Sequence, residues 1–264
     1  MTQLSKTELI NSGLPQPTWS LLDSSLNAIL RYCESMDDVR VIAQLAMGFD
    51  EQAWLELRHK YSDLINNPAR IDGEQKYFDV VYWSAHKLKL VRDLGLDRKP
   101  SRRVLDLGTG VGHFMAMANF FGNECIGIDV DFPMYGDLAK LMNVRREIVP
   151  VMRHQPMSSF GGKFDLVTAI WISFNSYYTP GERNMMVRNY WTPNDWAFLL
   201  NDLVANHLHF PGRIYFVLNQ NQSADGSYAF DPALFDWFES QGAMVDRNLG
   251  NIDLRLDTPR SFAG

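Results

Sequence analysis

The sequence has little of what marks several classes of protein. It contains two cysteines, Cys33 and Cys125, and neither belongs to a CxxC pair. Two cysteines cannot build a disulfide framework, so we expect a reducing, cytoplasmic setting. No run approaches the roughly 18 consecutive apolar residues that a membrane span needs. The first residues also lack the basic and apolar regions of a secretion signal. We therefore expect neither a secreted disulfide scaffold nor a membrane protein, and no metal site built on cysteine pairs.

An excess of basic residues is lacking as well. The chain has 25 lysines and arginines against 31 aspartates and glutamates, for a formal net charge of −6. A nucleic-acid-binding protein usually presents a basic stripe, whereas the basic clusters here are short, at 98–103 and 145–146. We therefore expect no nucleic-acid partner. The 264 residues are 46% hydrophobic, an ordinary composition that can bury a core without cross-links.

Hydrophobic periodicity divides the chain into two parts. Helical spacing predicts helices over 22–33, after Asp37 as the capping residue, over 54–65 and over 73–94. From Arg103 onward, short apolar runs alternate with helical stretches, as in a parallel sheet with crossover helices. Strands are predicted at 103–107, 125–129, 147–151, 164–170, 213–218, 243–248 and 251–256, and helices at 112–121, 133–142, 193–208 and 231–241.

This order predicts an α/β fold with two domains. Residues 1–95 would form an N-terminal helical cap, and residues 96–264 a core. We expect the core to be a Rossmann-like, doubly wound, mostly parallel seven-stranded sheet. A short turn at Gly250 joins the last two strands into a C-terminal antiparallel hairpin.

A glycine-rich loop follows the first predicted strand. Gly108, Gly110 and Gly112 lie where that strand passes into a helix. Glycines allow the backbone to turn sharply and to approach a ligand, and the start of a helix favours an anion. Dinucleotide sites use GxGxxG with a small third residue, but here that position is His113. The spacing therefore favours another ligand over a dinucleotide.

Two acidic residues flank this loop. Asp106 ends the first strand, and its charge suits a ligand that carries its own cation, as S-adenosylmethionine (SAM) does. Asp129 ends the second strand, where an acid can accept hydrogen bonds from both ribose hydroxyls.

These residues resemble those of class I SAM-dependent methyltransferases. The similar pieces are DLGTGVG at 106–112, IGID at 126–129, FDLV at 164–167 and FPGRI at 210–214, and the resemblance covers about residues 100–256. It implies SAM as cofactor, with Asp106, Gly108 and Gly110 at the methionine end and Asp129 at the ribose. We expect the remaining cofactor contacts from Thr109, Gly112, Val130, Gln155, Met157 and Trp171.

One departure from the family concerns the segment after the third strand. Many members have an acidic residue followed by a small one there, reaching the adenine amino group, whereas this chain has 153–157, RHQPM. Gln155 or His154 would have to make that contact, and Met157 would pack on the adenine face. The methionine-end and ribose residues do not depend on this assignment.

The substrate side is less defined by the sequence. Polar and aromatic residues after the fourth strand are suited to orient an acceptor. The candidate catalytic residues are Asn175, Tyr177, Tyr178 and His154. The candidate substrate-binding residues are Tyr77, Tyr82, Trp83, Asn175 and Tyr177. We expect His113 to pack or to contact the methionine carboxylate rather than to act as a base, and residues 179–196 to form a loop that could cover the site.

The sequence thus predicts a SAM-dependent methyltransferase with a small-molecule acceptor. O- or N-methylation of a sugar or natural product is favoured, without a metal and without a membrane partner. Two alternatives stay open. One is a non-catalytic protein that binds SAM or a partner, and the other is an NAD(P)-dependent oxidoreductase. A homo-oligomer is also possible.

Overall fold

The structure is a computed structural model that describes residues 31–65, 77–180, 186–222 and 227–264. These residues belong to two compact units. The first unit comprises the residues up to 101 together with 110–124 and 132–146, and the second comprises 102–109, 125–131 and 147–264. The predicted domain boundary at residue 95 stays a prediction.

The helices and strands alternate along the chain much as expected. The helices are α1 (Met36–Met47), α2 (Glu51–Lys60), α3 (Ser62–Ile65), α4 (Val80–Asp93), α5 (His113–Phe120), α6 (Pro133–Leu141), α7 (Pro193–Asp202) and α8 (Pro232–Ser240). The strands are β1 (Arg103–Leu107), β2 (Glu124–Asp129), β3 (Arg145–Ile148), β4 (Phe164–Ile170), β5 (Ser176–Pro180), β6 (Met186–Tyr190), β7 (Leu208–Val217), β8 (Asn221–Gln222), β9 (Tyr228–Ala229), β10 (Met244–Asp246) and β11 (Asn251–Leu256).

Two expectations about the N-terminal helices were wrong in detail. Helix α1 is capped by Ser35, whose hydroxyl accepts from the Asp38 N–H while the Asp38 carboxylate accepts from the Ser35 N–H. Asp37 lies inside the first turn, because this reciprocal pair fixes the start two residues earlier. Helix α4 begins at Val80 rather than near 73, since the Asp79 side chain accepts from the Tyr82 N–H at 2.9 Å. Residues 22–30 and 73–76 lie outside the described residues.

The central sheet has the predicted class and strand number. Its seven strands lie in the order β10-β11-β7-β4-β1-β2-β3. Strand β4 runs parallel to β1 and to β7, while β7, β11 and β10 pair antiparallel. The mostly parallel sheet with a C-terminal antiparallel hairpin is therefore confirmed.

The element boundaries differ in a few places. Strand β3 occupies 145–148 instead of 147–151, and β7 begins at Leu208 instead of 213. The predicted helix over 193–208 ends as an α-helix at Asp202, and residues 203–207 continue as one π-helical turn. Within the described residues, no helix combines the length and apolarity that crossing a bilayer requires.

The strand order determines where a ligand site is expected. From β1 the chain proceeds outward to β2 and β3, and it then returns to place β4 on the other side of β1. Such a reversal leaves a crevice at the carboxyl ends of the two central strands, and ligands of open α/β sheets bind there. Strands β1 and β4 both belong to the second unit, so this edge can be described within that unit.

The core of the second unit holds this edge in place. Trp196 of α7 is fully buried and packs against Trp191, Phe216 of β7 and Phe238 of α8. Each such side chain contributes about 1.5–3 kcal/mol through burial alone. The segment after β4 therefore rests on a rigid support.

Candidate functional site

Asp106 lies at the switch between β1 and β4. It is only 3% exposed, and the strand register places it opposite Thr168, which is fully buried. The Thr168 hydroxyl donates a hydrogen bond to Asp106 Oδ1 at 2.6 Å. A buried carboxylate needs such donors, because burial without them is costly. The two strands therefore present an acid in a fixed orientation at the carboxyl edge of the sheet.

The turn after Asp106 is shaped by Gly108. Its φ of 68° is in the left-handed region, which favours glycine. The N–H groups of Gly108 and Thr109 both donate to the Ile128 carbonyl, at 2.9 and 3.1 Å, which ties the ends of β1 and β2 together. A Cβ added to Gly108 would lie 3.4 Å from Ile172 and from Phe174. The glycine turn thus lies against the segment that follows β4.

One feature of the loop in the second unit fits a bound ligand. The Thr109 hydroxyl is buried and has no hydrogen-bond partner among the described residues. A buried donor without a partner is a group that a polar ligand would complete. Gly110, which belongs to the first unit, has a left-handed backbone with φ of 59°.

At the end of β2, Asp129 and Val130 lie near the surface. Asp129 is half-buried, and its Oδ1 accepts from the Val130 N–H at 2.7 Å. The Asp129 carbonyl accepts from the Val149 N–H at 2.9 Å, which fixes the backbone of this strand end. The Val130 side chain is exposed. A carboxylate on a fixed strand end is suited to accept from hydroxyl groups of a ligand.

In the first unit, Gly112 and His113 begin helix α5. Gly112 has φ of 90°, and a Cβ there would lie 3.0 Å from Val144. His113 is buried, and its Nε2 donates to the Tyr77 carbonyl at 3.0 Å. Burial lowers the pKa of His113 to about 3, so its imidazole is neutral at ordinary pH. His113 has a packing role here, and the cofactor roles of Gly110 and Gly112 stay predictions.

The three aromatic substrate candidates of the first unit form one cluster. Trp83 stacks on Tyr77 with ring centroids 6.0 Å apart, and Tyr82 meets Trp83 edge-on at 5.4 Å. Trp83 also stacks on the His113 ring at 5.8 Å. All three aromatic side chains are half-buried. The structure brings them together, and their contact with an acceptor stays a prediction.

The segment between β3 and β4 places its side chains in different surroundings. Gln155 is exposed, whereas Met157 is buried in the core and its N–H donates to Asp202 Oδ2 at 3.0 Å. His154 has a left-handed backbone, and its Nε2 lies 2.7 Å from Asp195 Oδ1. Arg153 donates to the same oxygen through Nε, at 3.0 Å, and Nη2, at 2.9 Å.

Asp195 is a site residue that the sequence does not reveal. It is 1% exposed, and its Oδ2 accepts from the backbone and hydroxyl of Thr192 at 2.8 and 2.9 Å, which caps α7. Burial alone would raise the pKa of Asp195, but the hydrogen bonds from Thr192 and Arg153 outweigh it and hold the pKa below its ordinary value. The Thr-x-x-Asp spacing is a capping-box signal that predicts a helix start. It does not predict that the same carboxylate binds Arg153 and His154.

The segment after β4 combines packing residues with polar ones. Trp171 has φ of 52°, rare for a bulky residue, and its N–H donates to the Val217 carbonyl at 2.7 Å. Asn175 is 5% exposed, Tyr177 is half-buried and Tyr178 is 59% exposed. A strained, partly exposed Trp171 at the end of a central strand is typical of a ligand-contacting position.

The predicted loop over 179–196 is wrong as a description of the backbone. Strands β5 and β6 form a separate antiparallel hairpin, with Ser176 opposite Tyr190 and Thr179 opposite Val187. Trp191 and Trp196 are core residues, and residues 181–185 of this segment lie outside the described residues. No group of three histidine, cysteine or acidic side chains that could hold a metal occurs in the described parts of the chain.

Comparisons with known proteins bear on the fold that carries this site. No protein-family model and no curated protein matches the chain. Solved structures do match it. One is a SAM-bound amino pentose methyltransferase from Micromonospora echinaspora, involved in calicheamicin biosynthesis, with 18% identity and a TM-score of 0.38. That match covers 52% of this chain, and it spans only half, 50%, of the other chain's length.

Of two further matches, one is named for a protein acceptor and the other names no acceptor. A ribosomal protein L11 methylase from Lactobacillus delbrueckii subsp. bulgaricus has 16% identity and a TM-score of 0.39, covering 68% of this chain and 80% of its own. An O-methyltransferase family protein from Burkholderia thailandensis has 12% identity and a TM-score of 0.42, covering 78% and 71%. The chain is similar to methyltransferases. At these identities the similarity does not extend to an acceptor.

Proposed function

We propose that the protein is a SAM-dependent methyltransferase. The observation that carries the proposal is the buried Asp106, oriented by Thr168 at the switch between β1 and β4. It lies beside a left-handed Gly108 and a buried Thr109 hydroxyl without a partner. An oriented acid can bind the ammonium group of SAM, and the Thr109 hydroxyl offers a further polar contact. The same acid would repel the pyrophosphate of a dinucleotide, which argues against an oxidoreductase.

The remaining cofactor residues have distinct proposed roles. Asp129 accepts from the ribose hydroxyls, with Val130 beside it, and the exposed ring of Trp171 borders the position of the reacting methyl group. When bound, SAM supplies an electrophilic methyl group on a sulfonium. The residues of the chain then position the acceptor and exclude water, which is the protein's main contribution to such a displacement.

A hydroxyl acceptor would also have to lose a proton, and His154 is the proposed base. Its Nε2 is held by Asp195 Oδ1, so the carboxylate orients the ring and fixes the tautomer with the proton on Nε2. The other nitrogen, Nδ1, is then the proton acceptor. Removing a general base lowers turnover by about a hundredfold or more. An amine acceptor that binds as the free base would not need this residue.

The proposed acceptor is a small molecule of the sugar or natural-product type. The hydrogen-bonding groups near the segment after β4, which include Asn175 and Tyr177, suit a polar acceptor. We further propose a cytoplasmic setting, supported by the two buried cysteines, which form no disulfide.

The experiment combines binding with turnover. Thermal unfolding of the full chain with SAM, S-adenosylhomocysteine, NAD and NADP tests the cofactor, because a ligand that binds only the folded state raises the melting temperature. Release of S-adenosylhomocysteine in the presence of a panel of sugars and phenols tests catalysis. Stabilisation by SAM with transfer to an acceptor supports the proposal. Stabilisation by SAM without transfer to any acceptor class favours the non-catalytic alternative.

A further inference from the structure

The β5–β6 hairpin has two chemically different faces. Directly opposed residues of an antiparallel pair lie on the same face, and successive residues alternate. Tyr178 and Arg188 share one face, and Tyr178 is largely exposed. Tyr177 and Asn189 share the other. We call this second face, with Asn175, Tyr177, Thr179, Asn189 and Trp191, the inner face of the hairpin.

The base of the hairpin turns the inner face toward the protein. The Trp191 N–H donates to the Asn175 carbonyl at 2.9 Å, which extends the ladder by one pair. Both of these residues are buried, and Tyr177 packs against the core of the second unit. The segment that leads into the hairpin, including Phe174, lies against Gly108 of the proposed cofactor loop. The inner face therefore begins next to that loop.

A cation lies over this face. The Arg153 guanidinium carbon is 4.1 Å from the centre of the Tyr177 ring. Asp195 Oδ1 holds Nε and Nη2 of the same guanidinium, which fixes its plane. Arg153 Nη1 makes no hydrogen bond within the described residues, and neither does the Tyr177 hydroxyl. Two donors without partners are thus held beside each other.

Asn175 adds a third polar group on the same face. The residue as a whole is 5% exposed, yet its amide is not among the fully buried polar atoms without a partner in the described residues. The amide is therefore open to solvent, where a ligand can reach it. An arginine, a phenol and an amide together offer mainly N–H and O–H donors, and the phenol and amide oxygens can also accept.

We propose that the methyl acceptor carries a carboxylate or phosphate group, which binds to Arg153 Nη1 and the Tyr177 hydroxyl on the inner face of the hairpin. A planar guanidinium held by a carboxylate on one edge still offers donors on its other edge, and charge-assisted hydrogen bonds are the strong ones. Asn175 binds the same anion or the adjoining polar atoms. Asp195 is a positioning residue, because it fixes Arg153 without facing the ligand. This inference rests on the proposed methyltransferase function.

The test uses small anionic probes and the full chain. Ligand-observed NMR titrations would compare benzoate and phenyl phosphate with the neutral benzamide. We expect both anions to bind at least tenfold more tightly than benzamide, and the tighter of the two identifies the type of anion. Equal binding of benzamide would overturn the proposal. Calorimetry with SAM on the same samples tests the proposed function separately, since Arg153 belongs to the acceptor side.

Variants locate the binding on the inner face. Arg153→Gln should weaken benzoate or phenyl phosphate binding at least tenfold, and Tyr177→Phe by a few fold, with SAM affinity within twofold of the wild type. Arg188→Gln is the matched control, because Arg188 lies on the other face, where it donates to the Ser176 hydroxyl at 3.1 Å. Equal losses in Arg153→Gln and Arg188→Gln would overturn the proposal.

Two further variants keep the test decisive. If Arg153→Gln does not fold, Arg153→Lys keeps the charge and should retain weakened binding of the anions, whereas unchanged binding would contradict the role of the guanidinium. Asp195→Asn keeps the size of the side chain but loosens Arg153. It should weaken anion binding while SAM affinity is unchanged, and an equal loss of SAM affinity would show a merely structural role.

Discussion

The hydrogen bond between Thr168 and Asp106 gives the sharpest test of how the cofactor site is built. Thr168→Val keeps the shape of a fully buried side chain and removes only the hydroxyl that donates to Asp106 Oδ1 at 2.6 Å. A hydrogen bond to a charged group contributes about 1.5–3 kcal/mol. We therefore expect the free energy of unfolding to fall by about 2 kcal/mol. In a chain of this size that corresponds to a melting temperature lower by about 6 °C.

The same substitution should weaken SAM binding, because Asp106 loses the donor that orients it. We expect about a tenfold increase in the Kd, which is about 1.4 kcal/mol, measured by isothermal titration calorimetry. Thr168→Ser is the matched control, since it keeps the hydroxyl, and its SAM affinity should stay close to that of the wild type. Wild-type SAM affinity and stability in Thr168→Val would refute the reasoning that this strand pair orients the acid.

Three further predictions follow from other parts of the structure. Asp129→Ala should weaken SAM binding by about 1–3 kcal/mol because the ribose hydroxyls lose a charged acceptor, whereas Asp131→Ala, at an exposed position, should not. Gly108→Ala should destabilise the protein by about 1–2 kcal/mol in urea unfolding, since φ is 68°. Gly136→Ala in α6, where an added Cβ meets nothing within 4 Å, should instead stabilise it. Burial lowers the pKa of His113 to about 3, while the unfolded imidazole titrates at about 6.5. The unfolded state therefore takes up the proton first, and stability that is present above pH 6.5 is lost as the pH falls toward 3. His113→Phe should accordingly lose less stability than the wild type between pH 6.5 and pH 4, in denaturant unfolding at each pH.

The cofactor side of the molecule could be predicted from the sequence because its signals are local. The strand before Gly108, the glycines and the helix after them form one continuous stretch, 103–120, and the residues of each part favour the backbone conformation found there. The predicted bounds of β1, β4 and β11 agree with the structure to the residue. Their alternation with helices then limits the sheet to few topologies.

The acceptor side could not be predicted in the same way, because it depends on contacts between distant segments. Asp195 lies 42 residues after Arg153, and no periodicity indicates that they meet. The hairpin was also missed. Its strands are short and polar, and the prolines and glycines nearby favour a loop interpretation. A period-two pattern is weak when neither face is fully apolar.

The boundary shifts have physical causes that sequence patterns do not carry. The start of α4 is set by the Asp79 cap rather than by the apolar stripe. The π-helical turn after Asp202 places His207 in the core, where burial lowers its pKa. Single side chains determine where a helix is capped and what its local geometry is. Hydrophobic periodicity is a property of many residues together, so it does not locate the helix ends to the residue.

The central claim is that the loop after β1 binds SAM, and calorimetric titration of the full chain tests it most directly. Micromolar affinity corresponds to about 8 kcal/mol. We predict that SAM and S-adenosylhomocysteine both bind in this range, that each displaces the other, and that NAD and NADP give no heat. Binding of NAD or NADP, with no heat from SAM or S-adenosylhomocysteine, would contradict the account.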